Sequence, residues 1–226
     1  MFEARWLACE DNPEPMLRYM LGKTGDRKLR LFACACVRRV WSLLQDERSR
    51  TAVEVAERYA DHPGGLTQLS RVRTEANDVA QFCNLERLNH RDEHSRAVWA
   101  AALSACATVD HTGWDVACQA ALQSAAALGD FSGGAEYRVQ CELVRELFGN
   151  PFRPEILNPA WLRWHDRCVV KMAQAIYEDR RFDELPILAD ALEEAGCDND
   201  EILWHCREPG EHARGCWLVD AILGKK

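Results

Sequence analysis

Apolar residues recur at three- and four-residue steps along nearly the whole of this chain, and no segment alternates with period two over the length of a strand. Between Asp26 and Leu44 the residues Leu29, Phe32, Ala33, Cys36, Val40 and Leu43 fall on one helical face, with Lys23, Arg27, Arg30 and Arg38 opposite them. Asp46-Glu47 opens a second helix carrying Ala52, Val55, Ala56 and Tyr59, which ends before His62-Pro63-Gly64-Gly65. The same period predicts helices over 66–88, 92–109, 114–128 and 135–148. His111-Thr112-Gly113 reads as a break with Thr112 as a cap, 129–134 as a loop, and Gly149-Asn150-Pro151 as a stop. The expected fold is all-α, a bundle of about eight to ten helices. Two of them are rich in alanine, at Ala97, Ala100, Ala101, Ala102, Ala105 and Ala107, and at Ala117, Ala120, Ala121, Ala125, Ala126 and Ala127. Small side chains let helix axes approach closely, so these two are expected to be buried neighbours.

The last third is built differently. Pro151, Pro154 and Pro159 mark an extended connection, and this reading divides the chain into a bundle over 1–149 and a helical subdomain over 150–226 packed on it, or leaves both as one domain. A helix starting at Trp161 or Asp166 runs to Arg180, with Val169, Ala173, Ile176 and Tyr177 inward. The next follows Phe182-Asp183, has Pro186 in its first turn and stops at Gly196. Asp198 is placed to cap a short helix through Trp204, and Trp217, Leu218, Ala221 and Ile222 make a last one.

Charge and cysteine content restrict the setting. The chain has 226 residues, 28 Lys and Arg against 36 Asp and Glu, and a formal charge of −8. Binding to nucleic acid or an anionic membrane rests on cations neutralising phosphates, so neither partner is expected from the overall charge. The first residues lack the charged-then-apolar order of a signal peptide, and the longest uncharged apolar stretch, Ala97 to Val109, is too short to cross a bilayer. A soluble, cytoplasmic protein is expected. Eleven cysteines, an odd number scattered through helical patterns, read as reduced thiols serving as small apolar side chains.

No catalytic residue emerges from the motifs. Leu21-Gly22-Lys23-Thr24 ends like a phosphate-binding loop, but Leu17 stands where that motif needs glycine and no strand precedes it, so it reads as a turn. Glu86, His90 and His94 have helical metal-ligand spacing without the full HExxH pattern, and read as surface side chains. The C-terminal set Cys197, His205, Cys206, His212 and Cys216 has the residue types that zinc takes. It contains no Cys-x-x-Cys pair, so its spacing matches no standard finger, and the same residues can pack as a metal-free core. Arg27, Arg30 and Arg38 could meet an acidic partner or a phosphate backbone, or be the solvated face of an amphipathic helix. Trp161 and Trp164 read first as core residues, with an exposed recognition patch as the alternative.

Several blocks carry a resemblance. They are Asp26-Arg27-Lys28-Leu29-Arg30-Leu31-Phe32-Ala33-Cys34-Ala35-Cys36, Asp46-Glu47-Arg48-Ser49-Arg50, Phe148-Gly149-Asn150-Pro151-Phe152-Arg153-Pro154, the Leu185–Cys197 run LPILADALEEAGC, and Arg214-Gly215-Cys216-Trp217. With these the chain resembles a large uncharacterised family of bacterial all-helical proteins, often present as many paralogues. The resemblance implies one complete unit and carries over no catalytic or binding residue. The leading expectation is a non-catalytic module that binds another protein. The alternatives are a zinc-dependent enzyme or metal-stabilised regulator using the C-terminal cluster, and nucleic-acid binding through the basic stripe.

Overall fold

The structure, a computed structural model, describes residues 1–110, 113–130, 134–154 and 157–225. Twelve α-helices and two 3-10 turns occur among them, and no strand. The helices are α1 (Glu3–Leu7), α2 (Glu14–Met20), α3 (Asp26–Arg39), α4 (Glu47–Asp61), α5 (Leu66–His90), α6 (Glu93–Thr108), α7 (Gly113–Ala127), α8 (Ala135–Phe148), α9 (Pro159–Asp179), α10 (Leu185–Glu194), α11 (Asp200–Arg207) and α12 (Trp217–Leu223). The count exceeds the eight to ten expected because α1 and α2 are five and seven residues long, too short to repeat an apolar period. His111 and Thr112, Phe131 to Gly133, and Glu155 and Ile156 lie outside the described residues, so the Thr112 cap and parts of the 129–134 loop and the Pro-rich connection are not described.

The chain forms two compact units, Met1–Val144 and Arg145–Lys226. The division falls inside α8, so the last turn of that helix belongs to the second unit.

In the first unit α3 lies against α4, α6 and α7, and the alanine-rich α6 and α7 pack along each other. Ala101, Ala105, Ala117, Ala120 and Ala125 are fully buried there, as close helix approach requires. Asp46 and Asp92 cap α4 and α6, accepting from the Arg48 and Ser95 amides. Asp130 accepts from the amides of Gly134 and Glu136 at the start of α8.

The surroundings of α3 differ from those of a surface helix. Ten of its residues are buried, Lys28 and Arg30 among them. Arg30, 4% exposed, donates to the carbonyls of Thr108 (2.5 Å) and Asp110 (3.0 Å) just where α6 ends. A helix leaves its last carbonyls without internal partners, and a guanidinium both satisfies them and meets the negative end of the helix dipole. Arg27 pairs with Asp61 (2.9 Å), Arg38 holds Glu57 through two hydrogen bonds, and Arg39 reaches Glu136 (2.8 Å). The basic side of the stripe therefore turns inward, because α4, α6 and α8 present acceptors to it.

In the second unit the core gathers Val169, Ala173, Ile176, Tyr177, Leu185, Leu188, Leu192, Ile202, Leu218 and Ile222 from α9 to α12. Within α9 the helix breaks at Trp164, and His165, Asp166 and Arg167 take positive φ, a conformation that costs a non-glycine residue energy. Asn158 caps α9. Asn199, rather than Asp198, caps α11, its Oδ1 accepting from the Glu201 and Ile202 amides. Gly196 stops α10 at φ +89°. No helix among the described residues is long and apolar enough to cross a membrane.

The buried fork of Arg30 makes a prediction. Arg30→Met removes both hydrogen bonds to the carbonyl end of α6 and should destabilise the first unit by about 2–4 kcal/mol in urea unfolding. Arg18→Met removes an exposed pair with Glu14 and a long cation–π contact with Trp114 (5.8 Å), and should change stability by less than about 1 kcal/mol.

Candidate metal centre

Four donor side chains of the second unit converge on one point. Glu146, His205, His212 and Cys216 each offer a ligand atom, and these atoms all lie within 4.8 Å of one another. Glu146 comes from the last turn of α8, His205 from α11, His212 from the irregular segment after it, and Cys216 from the N-cap position of α12.

The individual distances fit a common centre. His205 Nε2 stands 3.1 Å from Cys216 Sγ and 3.5 Å from Glu146 Oε2, while His212 Nδ1 is 3.1 Å from the same carboxylate oxygen. In a tetrahedral zinc site with the usual bond lengths, ligand-to-ligand edges come to roughly 3.4 Å for N and O and 3.6 Å for N and S. One imidazole nitrogen thus faces both a sulfur and a carboxylate oxygen, which suits a lone pair aimed at a shared ion. It does not suit a nucleophile triad, in which the acid orients the base through the other ring nitrogen. Cys216 is also fully buried.

The donors are supported from behind. The Ala213 amide donates to Glu146 Oε1 (3.3 Å), leaving Oε2 to face the imidazoles. The His212 ring is also hydrogen-bonded to the backbone of Glu208, the outer contact that fixes the tautomer of a metal-binding histidine. The rings of His205 and His212 meet edge to face at 5.2 Å, and Trp217 lies 5.0 Å from His205 on its other flank. Gly149 ends α8 at φ +62°, and a Cβ there would stand 3.2 Å from Trp217 Cγ.

Burial dominates the electrostatics. It raises the Cys216 thiol well above its ordinary range, with the Glu146 charge adding to the effect and the nearby Leu218 and Val219 amides opposing it. Burial also lowers the His205 imidazole, so that ring stays neutral and able to ligate. For His212 burial acts downward, but the hydrogen bond and charge of Glu146 outweigh it and the net shift is upward. A carboxylate and a sulfur brought together at low exposure are an arrangement that a divalent cation stabilises.

Of the five C-terminal residues singled out in the sequence, His205, His212 and Cys216 meet here, whereas Cys197 and Cys206 lie buried in the apolar core of the same unit. Neighbours on a helix point about 100° apart, so His205 and Cys206 cannot face one centre. Burial pushes the Cys206 thiol up to about 12, as befits an apolar side chain. Glu146 was not among the sequence candidates. Its signal was a carboxylate three residues after Leu143 on the buried stripe of α8.

The remaining candidates sit elsewhere. Arg27, Arg30 and Arg38 are engaged inside the first unit, so a phosphate would have to displace Asp61, the Thr108 and Asp110 carbonyls, or Glu57. Trp161 is buried in the second core and Trp164 is half-buried at the break in α9. The exposed tryptophan of this region is Trp204, at 65%. His90 bonds Glu86 (3.2 Å) at the end of α5, while His94 lies on α6 beside Gln45. Leu21 to Thr24 form a turn.

No family model, curated protein or solved structure matches the chain.

Gly149→Ala should destabilise the second unit by about 1–2 kcal/mol, through a strained φ and a displaced Trp217. Tryptophan fluorescence followed through urea unfolding reads both effects.

Proposed function

We propose that the Arg145–Lys226 unit is a zinc-stabilised helical module, in which Glu146, His205, His212 and Cys216 hold one Zn²⁺. The observation that carries this reading is the convergence of four mixed N, O and S donors, from four separate segments, all within 4.8 Å of one another. Cys and His donors at such spacing favour zinc over the harder divalent cations. Four protein ligands fill a tetrahedral shell, whereas a catalytic zinc keeps one position for water or substrate. The metal in this reading orders the chain rather than performing chemistry.

The chain would then act through its surface, as a module that binds another protein. Trp204 supports this second step. It stands largely exposed on α11, one residue before the ligand His205, and tryptophan is the side chain most enriched at interface hot spots. A bound ion would fix α11 and with it the position of that ring.

Elemental mass spectrometry on untagged, freshly purified chain should give one zinc per chain. The pair His212→Ala and Cys216→Ala should reduce it to background. Stripping the metal with a strong chelator should lower the melting temperature by about 10 °C or more, with recovery on adding zinc back. Glu146→Gln, which keeps the shape but loses the charge, should weaken zinc binding at least about tenfold. A chain that takes up no zinc and melts identically with and without chelator would overturn the proposal.

A further inference from the structure

A second thiol-bearing place lies in the first unit. Cys9 sits in the loop between α1 and α2, and Cys141 sits on α8, 132 residues further on. Their sulfurs are 3.9 Å apart. A disulfide needs about 2.05 Å, so the two must close by about 1.9 Å. Cys9 belongs to a loop, which can yield that distance more readily than a helix can. Its sulfur is held against the Asn12 carbonyl (3.3 Å), turned back toward its own loop rather than locked in a helical ladder. One turn before Cys141, Arg138 reaches Glu10 (3.3 Å), so a neighbouring pair independently holds the same loop against the same helix.

Access divides the roles. Cys9 is 8% exposed and Cys141 is fully buried. An oxidant from solvent meets Cys9 first, and Cys141 waits behind it. Cys83 and Cys106 also lie near one another, packed against one small apolar cluster, and are the competing pair that the test must separate. Cys34 and Cys36 are two residues apart on one helix and point about 200° from each other, and Cys34 is turned to the Val53 carbonyl.

We infer that Cys9 and Cys141 form a redox-sensitive pair, oxidised by hydrogen peroxide to an intramolecular disulfide that fastens the N-terminal segment to α8. In the first step the Cys9 sulfur attacks peroxide. An S–O bond forms, the O–O bond breaks, and the departing hydroxide takes the thiol proton as water. Sulfur is oxidised by two electrons and peroxide is reduced. In the second step the Cys141 sulfur attacks Cys9, the S–S bond forms, and the S–O bond breaks. The hydroxyl leaves with the Cys141 proton as a second water. Two thiols and one peroxide become one disulfide and two waters.

The test uses the full chain, reduced, desalted and loaded with zinc. It is exposed to one equivalent of hydrogen peroxide, its remaining thiols are capped with N-ethylmaleimide, and it is digested for peptide mass spectrometry. The expected result is a single dominant cross-linked peptide joining Cys9 to Cys141, and, before capping, a chain mass lower by two hydrogen atoms. The bridged chain should melt about 5–10 °C above the reduced one, a difference that dithiothreitol abolishes and Cys9→Ser lacks. In Cys141→Ala, dimedone should label Cys9 as a sulfenic acid. In Cys9→Ser, Cys141 should stay a thiol at the same dose. A first disulfide between any other cysteines, or Cys9 passing to sulfinic acid in the native chain while Cys141 remains reduced, would overturn the inference. The native-chain map decides the matter even where a variant folds poorly.

Discussion

The first unit depends on the arginines of α3 finding their partners inside the protein. A helix with ten buried residues cannot leave guanidiniums without acceptors, since an unpaired buried charge costs several kcal/mol. Arg27 and Arg38 reach Asp61 and Glu57, two of the acidic residues of α4, Arg30 reaches the carbonyl end of α6, and Arg39 reaches Glu136 on α8. One helix thereby sets the register of three others, and each contact is directional in a way that alanine-on-alanine packing is not. Arginine suits this role better than lysine, because its fork can serve two acceptors at once. The alanine-rich α6 and α7 then supply close packing without much specificity of their own.

In the second unit the organising element is the polar cluster around Glu146. Most of the core here is apolar and forgiving, since leucine and isoleucine contacts tolerate small shifts. Glu146 is different. Its carboxylate accepts from the Ala213 amide and faces two imidazoles, which fixes the path of the segment between α11 and α12. Trp217 and Gly149 complete the fit, the ring resting against His205 on one side and the glycine on the other.

Much of the helical layout was legible in the sequence, because long amphipathic segments state their own period. The bounds of α8, the Asp46 cap of α4 and the glycine stop of α10 follow from local chemistry alone. The two shortest helices were not legible, nor was the choice between Asp198 and Asn199 as a cap, for adjacent residues of equal capping ability differ only in backbone path. The direction of the basic stripe was hidden for a deeper reason. Charges opposite an apolar face look solvated until the acceptors on other helices are known. Three of the four converging donors were visible by residue type. Glu146, 66 residues before His212, was concealed by sequence distance, and Cys206 was misleading because it adjoins the converging His205 while facing the other way.

The spacing of the four donors along the chain has an effect on timing. The first lies at residue 146, at the opening of its unit, and the last at residue 216, 70 residues later. A growing chain leaves the ribosome from its N-terminus, so Glu146 emerges long before Cys216 does. Any ion that needs all four must wait until the 70 residues from Glu146 to Cys216 have been made. The second unit would therefore stay open over that interval, and a product truncated within it would carry the carboxylate without the means to complete its shell.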